Sequence, residues 1–125
     1  MRLLLDAHTL LWWLGNDATL SVAARVAIAS PANDVLVSAA TVWEISIKRA
    51  LGKLSAPPGI AAVLAAEGFS ELPVEGVDGE AAASLPAHHR DPFDRMIVAQ
   101  AQRHGLTIVT RDPGFAPYGP PTLLA

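Results

Sequence analysis

Residues 89–112, HRDPFDRMIVAQAQRHGLTIVTRD, read as a helix followed by a strand with acids near both ends, and this unit limits the fold more than any other stretch. Asp91 is a good N-cap, Pro92 suits the first helical position, and Asp94 falls in the first turn. Ile97, Val98 and Ala101 then recur on one face at helical spacing. His104 sits in the last turn, where a protonated imidazole is favoured, and Gly105 supplies a left-handed stop. Leu106 to Thr110 follow as a short buried strand, and Asp112 precedes the turn Pro113-Gly114. In open α/β sheets ligands bind where strand ends meet helix N-termini, so Asp94 and Asp112 are placed to converge.

The rest of the chain repeats the alternation. Arg2 to Asp6 is an apolar run ending in an acid, the pattern of a buried strand whose last residue emerges at the sheet edge. Thr9 can cap a helix closed by Gly15, and Ser21 opens a second helix through Ser30 with Val22, Val26 and Ala29 as its apolar face. Val35 to Val37 reads as the next strand. Ser38 or Thr41 caps the following helix, and Thr41-Val42-Trp43-Glu44 matches a capping box. That register turns Trp43, Ile47 and Leu51 inward and leaves Lys48 and Arg49 facing solvent or a ligand. A helix over 59–67, an extended segment over 69–74, a short helix over 78–85 and a last edge strand at 122–124 complete the series. Such alternation implies one α/β domain over residues 1–125, with a mostly parallel sheet between helical layers.

Composition narrows the chemistry. The chain has 125 residues, 51% of them hydrophobic and 17% charged, enough to bury a core and too apolar for extended disorder. It has no cysteine, which removes disulfides, thiolate metal sites and a cysteine nucleophile. Asp6 and His8 interrupt the apolar start, no signal-peptide cleavage pattern follows, and no apolar run approaches the roughly 18 residues of a membrane span. A soluble cytoplasmic protein with no membrane partner is expected. The formal charge of −3 does not advertise a nucleic-acid binder, although a bound cation would invert the local effect of clustered acids.

Asp6, Glu44, Asp94 and Asp112 each fall at a strand end or in the early turns of a helix. Carboxylates brought together there repel and raise one another's pKa values, and a divalent cation resolves the repulsion. All-oxygen ligation suits Mg²⁺ or Mn²⁺, which can activate water and stabilise charge on a phosphodiester. Singly, each acid is an ordinary cap or surface residue; the four together support the sharper reading. No Walker-A loop, G-x-S-x-G elbow or H-E-x-x-H pair competes. His8 reads as a structural histidine, and His88-His89 as a loop ahead of a helix cap.

LLLDAHTLLWW, TVWEISIK, HRDPFDRMIVAQA and GLTIVTRD, in that order, resemble the PIN-domain ribonucleases, and more narrowly the VapC toxins of bacterial toxin–antitoxin pairs. The resemblance implies a three-layer α/β/α sandwich and a Mg²⁺- or Mn²⁺-dependent endoribonuclease. It also implies an RNA substrate, a homodimer, and a small VapB-like antitoxin that blocks the pocket. It assigns Asp6, Glu44, Asp94 and Asp112 to the four acidic, metal-holding positions and Thr110 to a supporting polar one. Asp91 and Arg95 flank Asp94 as further supporting candidates; the resemblance favours Asp94 over Asp91 as the family acid and leaves Asp91 the N-cap. Two alternatives stand beside this one. A catalytically inert PIN-like module would bind RNA or protein only. A phosphatase of the haloacid-dehalogenase type would need D-x-D where this chain has Asp6 and His8. Leu10, Leu11, Trp12 and Trp13 exceed what a small domain readily hides, a second reason to expect a dimer.

Overall fold

The computed structural model describes residues 1–125. Five strands form one all-parallel sheet: β1 (Arg2–Leu5), β2 (Asp34–Ser38), β3 (Ser70–Leu72), β4 (Thr107–Thr110) and β5 (Thr122–Leu124), in the order β3-β2-β1-β4-β5. Six α-helices connect them: α1 (Ala7–Leu14), α2 (Val22–Ala29), α3 (Ala39–Ala50), α4 (Ile60–Ala66), α5 (Gly76–Ser84) and α6 (Pro92–His104). A 3₁₀ helix, Pro113–Tyr118, joins β4 to β5. The chain winds outward from β1 through β2 to β3, then returns to place β4 on the other side of β1. The order reverses between β1 and β4, and a crevice opens there at the carboxyl ends of the strands.

Alternation along the strands builds two cores. Leu3, Leu5, Val35, Val37 and Val109 point to one face, where they meet Leu10, Ala24, Ile28, Ile45 and Leu64 from α1 to α4. Leu4, Leu36, Leu72 and Ile108 point to the other, against Ile97, Val98 and Ala101 of α6 and Phe115 and Tyr118 of the 3₁₀ helix. Helix α5 packs outside α6, pinned by Arg103, whose Nε donates to Asp78 Oδ1 at 2.7 Å. The three layers inferred from the alternation are present, and no helix is long and apolar enough to cross a membrane.

Three helices depart from their sequence-level expectation. Helix α1 starts two residues before Thr9 and is capped by Asp6, whose Oδ1 accepts from Thr9 N; Thr9 itself is fully buried. Helix α2 buries Ala24, Ala27 and Ile28 and leaves Val22 and Val26 exposed, because VAARVAIA is apolar on nearly every side and gives the periodicity little contrast. Helix α3 is capped by Ser38 rather than Thr41, which removes the capping box and turns Thr41, Glu44 and Ile45 inward. Trp43 and Leu51 are accordingly exposed. Leu10 is fully buried, and Leu11, Trp12 and Trp13 are half-buried against the first core, so part of their apolar surface stays exposed.

Candidate active site

The reversal between β1 and β4 brings the first pair of site residues together. Asp6 follows β1 directly and is 7% exposed. Its Oδ2 accepts from Thr110 Oγ1, at the end of β4, at 2.5 Å, and its Oδ1 accepts from Thr9 N at 2.9 Å. Thr110 Oγ1 also accepts from Asp112 N at 3.1 Å, so one hydroxyl ties both acids to the strand ends. Asp112 caps the 3₁₀ helix, its Oδ1 accepting from Gly114 N at 2.8 Å.

The other acids come from helices. Glu44, one and a half turns into α3, is 5% exposed; its Oε2 accepts from Lys48 Nζ at 2.7 Å, while its buried Oε1 has no hydrogen-bond partner. At the start of α6, Asp91 Oδ1 caps Phe93 N at 2.8 Å and Asp94 N at 3.2 Å. Asp6, Glu44, Asp91, Asp94 and Asp112 line one cavity of about 120 Å³, together with Ala7, His8 and Lys48. All four acids carried by the resemblance thus converge, with Asp91 beside them. Arg95 does not join them: its guanidinium donates to the carbonyls of Ala82, Ala83, Leu85, Pro86 and His89 and holds the 82–89 segment against α6.

Sequence reasoning left one contributor facing either solvent or a ligand and missed another. Lys48 stands four residues after Glu44, a spacing that signals an ion pair on a helix. His89, read as part of a loop, bridges two carboxylates: its Nε2 lies 2.9 Å from Asp112 Oδ2 and 3.0 Å from Asp94 Oδ2. No local pattern announces that role, because Asp112 is 23 residues away.

Crowding sets the electrostatics. Burial chiefly, then the charge of Asp91, with Glu44 and Asp6 adding and His89 opposing, pushes the Asp94 carboxyl up to about 7. The Gly114 N–H, and then His89, hold Asp112 below the usual carboxylate range. The hydrogen bond to Glu44 raises Lys48 above its ordinary value.

These residues fit a hard divalent cation. A buried carboxylate oxygen left without a partner is costly, and Glu44, one of the residues lining the cavity, has such an atom in Oε1. The acids offer oxygen donors only, and one carboxylate oxygen from each of Asp94 and Asp112 lies within 4.8 Å of the other, with the His89 ring beside both.

A family model described as PIN domain matches residues 3–119. The chain belongs to the PIN-domain family. Over 116 residues this PIN domain is 32% identical to Ribonuclease VapC22 of Mycobacterium tuberculosis (strain ATCC 25618 / H37Rv), a match covering 87% of this chain and 85% of that protein. It is VapC-like, which sets aside the dehalogenase-type alternative. Solved structures share its fold. A chain of VapBC2 from Rickettsia felis bound to a DNA fragment from their promoter is 13% identical, covers 99% of this PIN domain and 98% of its own length, and superposes with a TM-score of 0.69. A chain of a toxin-antitoxin complex from Klebsiella pneumoniae is 21% identical, with coverages of 97% and 95% and a TM-score of 0.64. FitAcB from Neisseria gonorrhoeae gives 20% identity, coverages of 98% and 96%, and a TM-score of 0.59.

Proposed function

We propose that this PIN domain is a Mg²⁺- or Mn²⁺-dependent endoribonuclease that serves as the toxin of a toxin–antitoxin pair. The observation that carries the reading is the gathering of Asp6, Glu44, Asp94 and Asp112 around one small cavity, with Glu44 Oε1 buried without a partner. The relative named Ribonuclease VapC22 and the fold neighbours solved as toxin–antitoxin complexes support the same reading. The four acids would hold the cation or its water. Once bound, such an ion supplies an activated water and offsets negative charge on the phosphodiester under attack.

The chain's own groups prepare that chemistry. Asp6 is oriented by two donors, Thr9 N and Thr110 Oγ1, so its lone pairs are aimed before any ligand arrives. Asp94, held near 7 without a cation, would give up its proton as a cation binds, so occupancy of the cavity is coupled to pH. Lys48 lies on the cavity wall with its side chain 37% exposed, a cation available to a phosphate oxygen. The same proposal includes single-stranded RNA as substrate, assembly as a homodimer, and a small VapB-like antitoxin that covers the cavity. Production of the chain alone in a bacterium tests the toxin role. Growth should arrest, and co-production of the antitoxin from a neighbouring reading frame should restore it. Unimpaired growth with soluble wild-type protein present would overturn the toxin role.

A further inference from the structure

His89 is fixed from several directions. Its ring Nδ1 accepts from Asp91 N at 3.2 Å, which leaves the ring proton on Nε2, the atom facing Asp94 and Asp112. Its backbone N–H donates to Tyr118 Oη at 2.7 Å, and that hydroxyl donates to Pro86 O at 2.7 Å, so the 3₁₀ helix anchors the loop that carries the ring. Phe115, fully buried, lies under the imidazole with centroids 5.6 Å apart. Gly114 closes the cage: a Cβ there would stand 2.9 Å from His89 Cδ2 and 3.0 Å from Asp112 Oδ1. The ring side chain is only 16% exposed.

We propose that His89 is a positioning residue, whose Nε2–H sets the separation and aim of the Asp94 and Asp112 carboxylates that receive the cation. The inference rests on the metal-dependent reading above and deepens it by naming a group that acts through the ligands. Two carboxylates drawn toward one donor cannot splay apart under mutual repulsion; His89 takes Oδ2 of each, and Gly114 N fixes the remaining Asp112 oxygen, Oδ1, at 2.8 Å. The tautomer argues against direct ligation. With Nδ1 occupied by the Asp91 N–H, the lone pair a metal would need is not on Nε2. Partners that orient metal ligands in this way commonly change metal affinity about 10- to 100-fold when removed.

The test is Mn²⁺ binding to the purified full chain, followed by calorimetry and by the electron paramagnetic resonance of the bound ion. His89→Ala should weaken Mn²⁺ binding about 10- to 100-fold. His89→Gln, which keeps an N–H donor, should recover part of that loss. The wild-type Mn²⁺ signal should lack coupling to a histidine nitrogen. Tyr118→Phe, outside the cavity, should weaken binding in the same direction but less, and circular dichroism should show all three variants folded. Mn²⁺ affinity in His89→Ala equal to wild type would overturn the proposal. A nitrogen coupling that disappears in His89→Ala would overturn it too, making His89 a ligand. Mn²⁺ binding that follows these expectations, in a protein that cleaves no RNA, would defeat the ribonuclease reading while upholding His89; a wild-type chain that binds no Mn²⁺ would defeat both.

Discussion

Thr110 Oγ1 donates to Asp6 Oδ2 at 2.5 Å, a contact across 104 residues of sequence that joins the ends of the two strands between which the sheet order reverses. It holds a buried carboxylate that otherwise faces four other acids. Thr110→Val keeps the shape and deletes the donor, leaving one Asp6 oxygen unsatisfied at a cost of about 1–3 kcal/mol. We expect a lower melting temperature and a loss of RNA cleavage, both restored by Thr110→Ser. Full activity in Thr110→Val would show that Asp6 needs no such orientation.

The raised Asp94 carboxyl predicts a pH-dependent stability with a definite sign. Its ordinary value is 3.8 and its folded value about 7, so the unfolded chain releases this proton first as pH rises. The stabilising contribution is therefore present below about pH 4 and lost as pH climbs through about 7. In EDTA, the stability of wild type relative to Asp94→Asn should fall across that interval. Over the same interval the melting-temperature gain produced by Mn²⁺ should grow, because the cation competes with this proton. A wild-type-minus-variant difference that is flat with pH would refute the assignment.

Asp91 and Asp94 share a helix start but not a task. Asp91 Oδ1 carries the cap, and Asp91→Ala should cost about 1 kcal/mol while the protein still cleaves RNA. Asp91→Asn preserves the cap acceptor and should be near wild type in stability. Asp94→Ala should abolish both cleavage and growth arrest at equal soluble protein. An inactive Asp91→Asn together with an active Asp94→Ala would reverse the two roles.

Away from the cavity, Asp78 is fully buried and accepts from Arg103 Nε at 2.7 Å and from Glu75 N at 2.9 Å. The Arg103 hydrogen bond, ahead of the Glu75 N–H, holds its carboxyl below 3.8. Its contribution is therefore present above the ordinary value and lost as pH falls through the depressed one. Arg103→Ala should lower the urea midpoint clearly at neutral pH, lose much of that effect in strong acid, and leave Mn²⁺ affinity unchanged. A deficit that is equal at both pH values would contradict the ion-pair account.

The α6–β4 unit was legible because its signals are local: Asp91, Pro92 and Gly105 act on their own helix. The identities of Asp6, Glu44, Asp94 and Asp112 were legible as acids at element ends, and the structure gathers them. The inward face of α3 was not, since binary patterning sends a glutamate outward and a tryptophan inward, and a carboxylate-lined cavity reverses both. His89 was invisible for a different reason: its partners Asp112 and Tyr118 reach it only through the 3₁₀ turn after β4. Arg95 looked like a charge beside the acids, and only its five carbonyl partners reveal a clamp on the 82–89 segment.

The most direct measurement is cleavage of single-stranded RNA by the purified chain with Mn²⁺, with EDTA, and with Asp94→Asn in Mn²⁺. The clustered carboxylates predict cleavage in the first case and none in the other two, with Asp94→Asn folded as shown by an unchanged circular dichroism spectrum. Cleavage that persists undiminished in EDTA, or in Asp94→Asn, would contradict a metal-dependent site at this cavity.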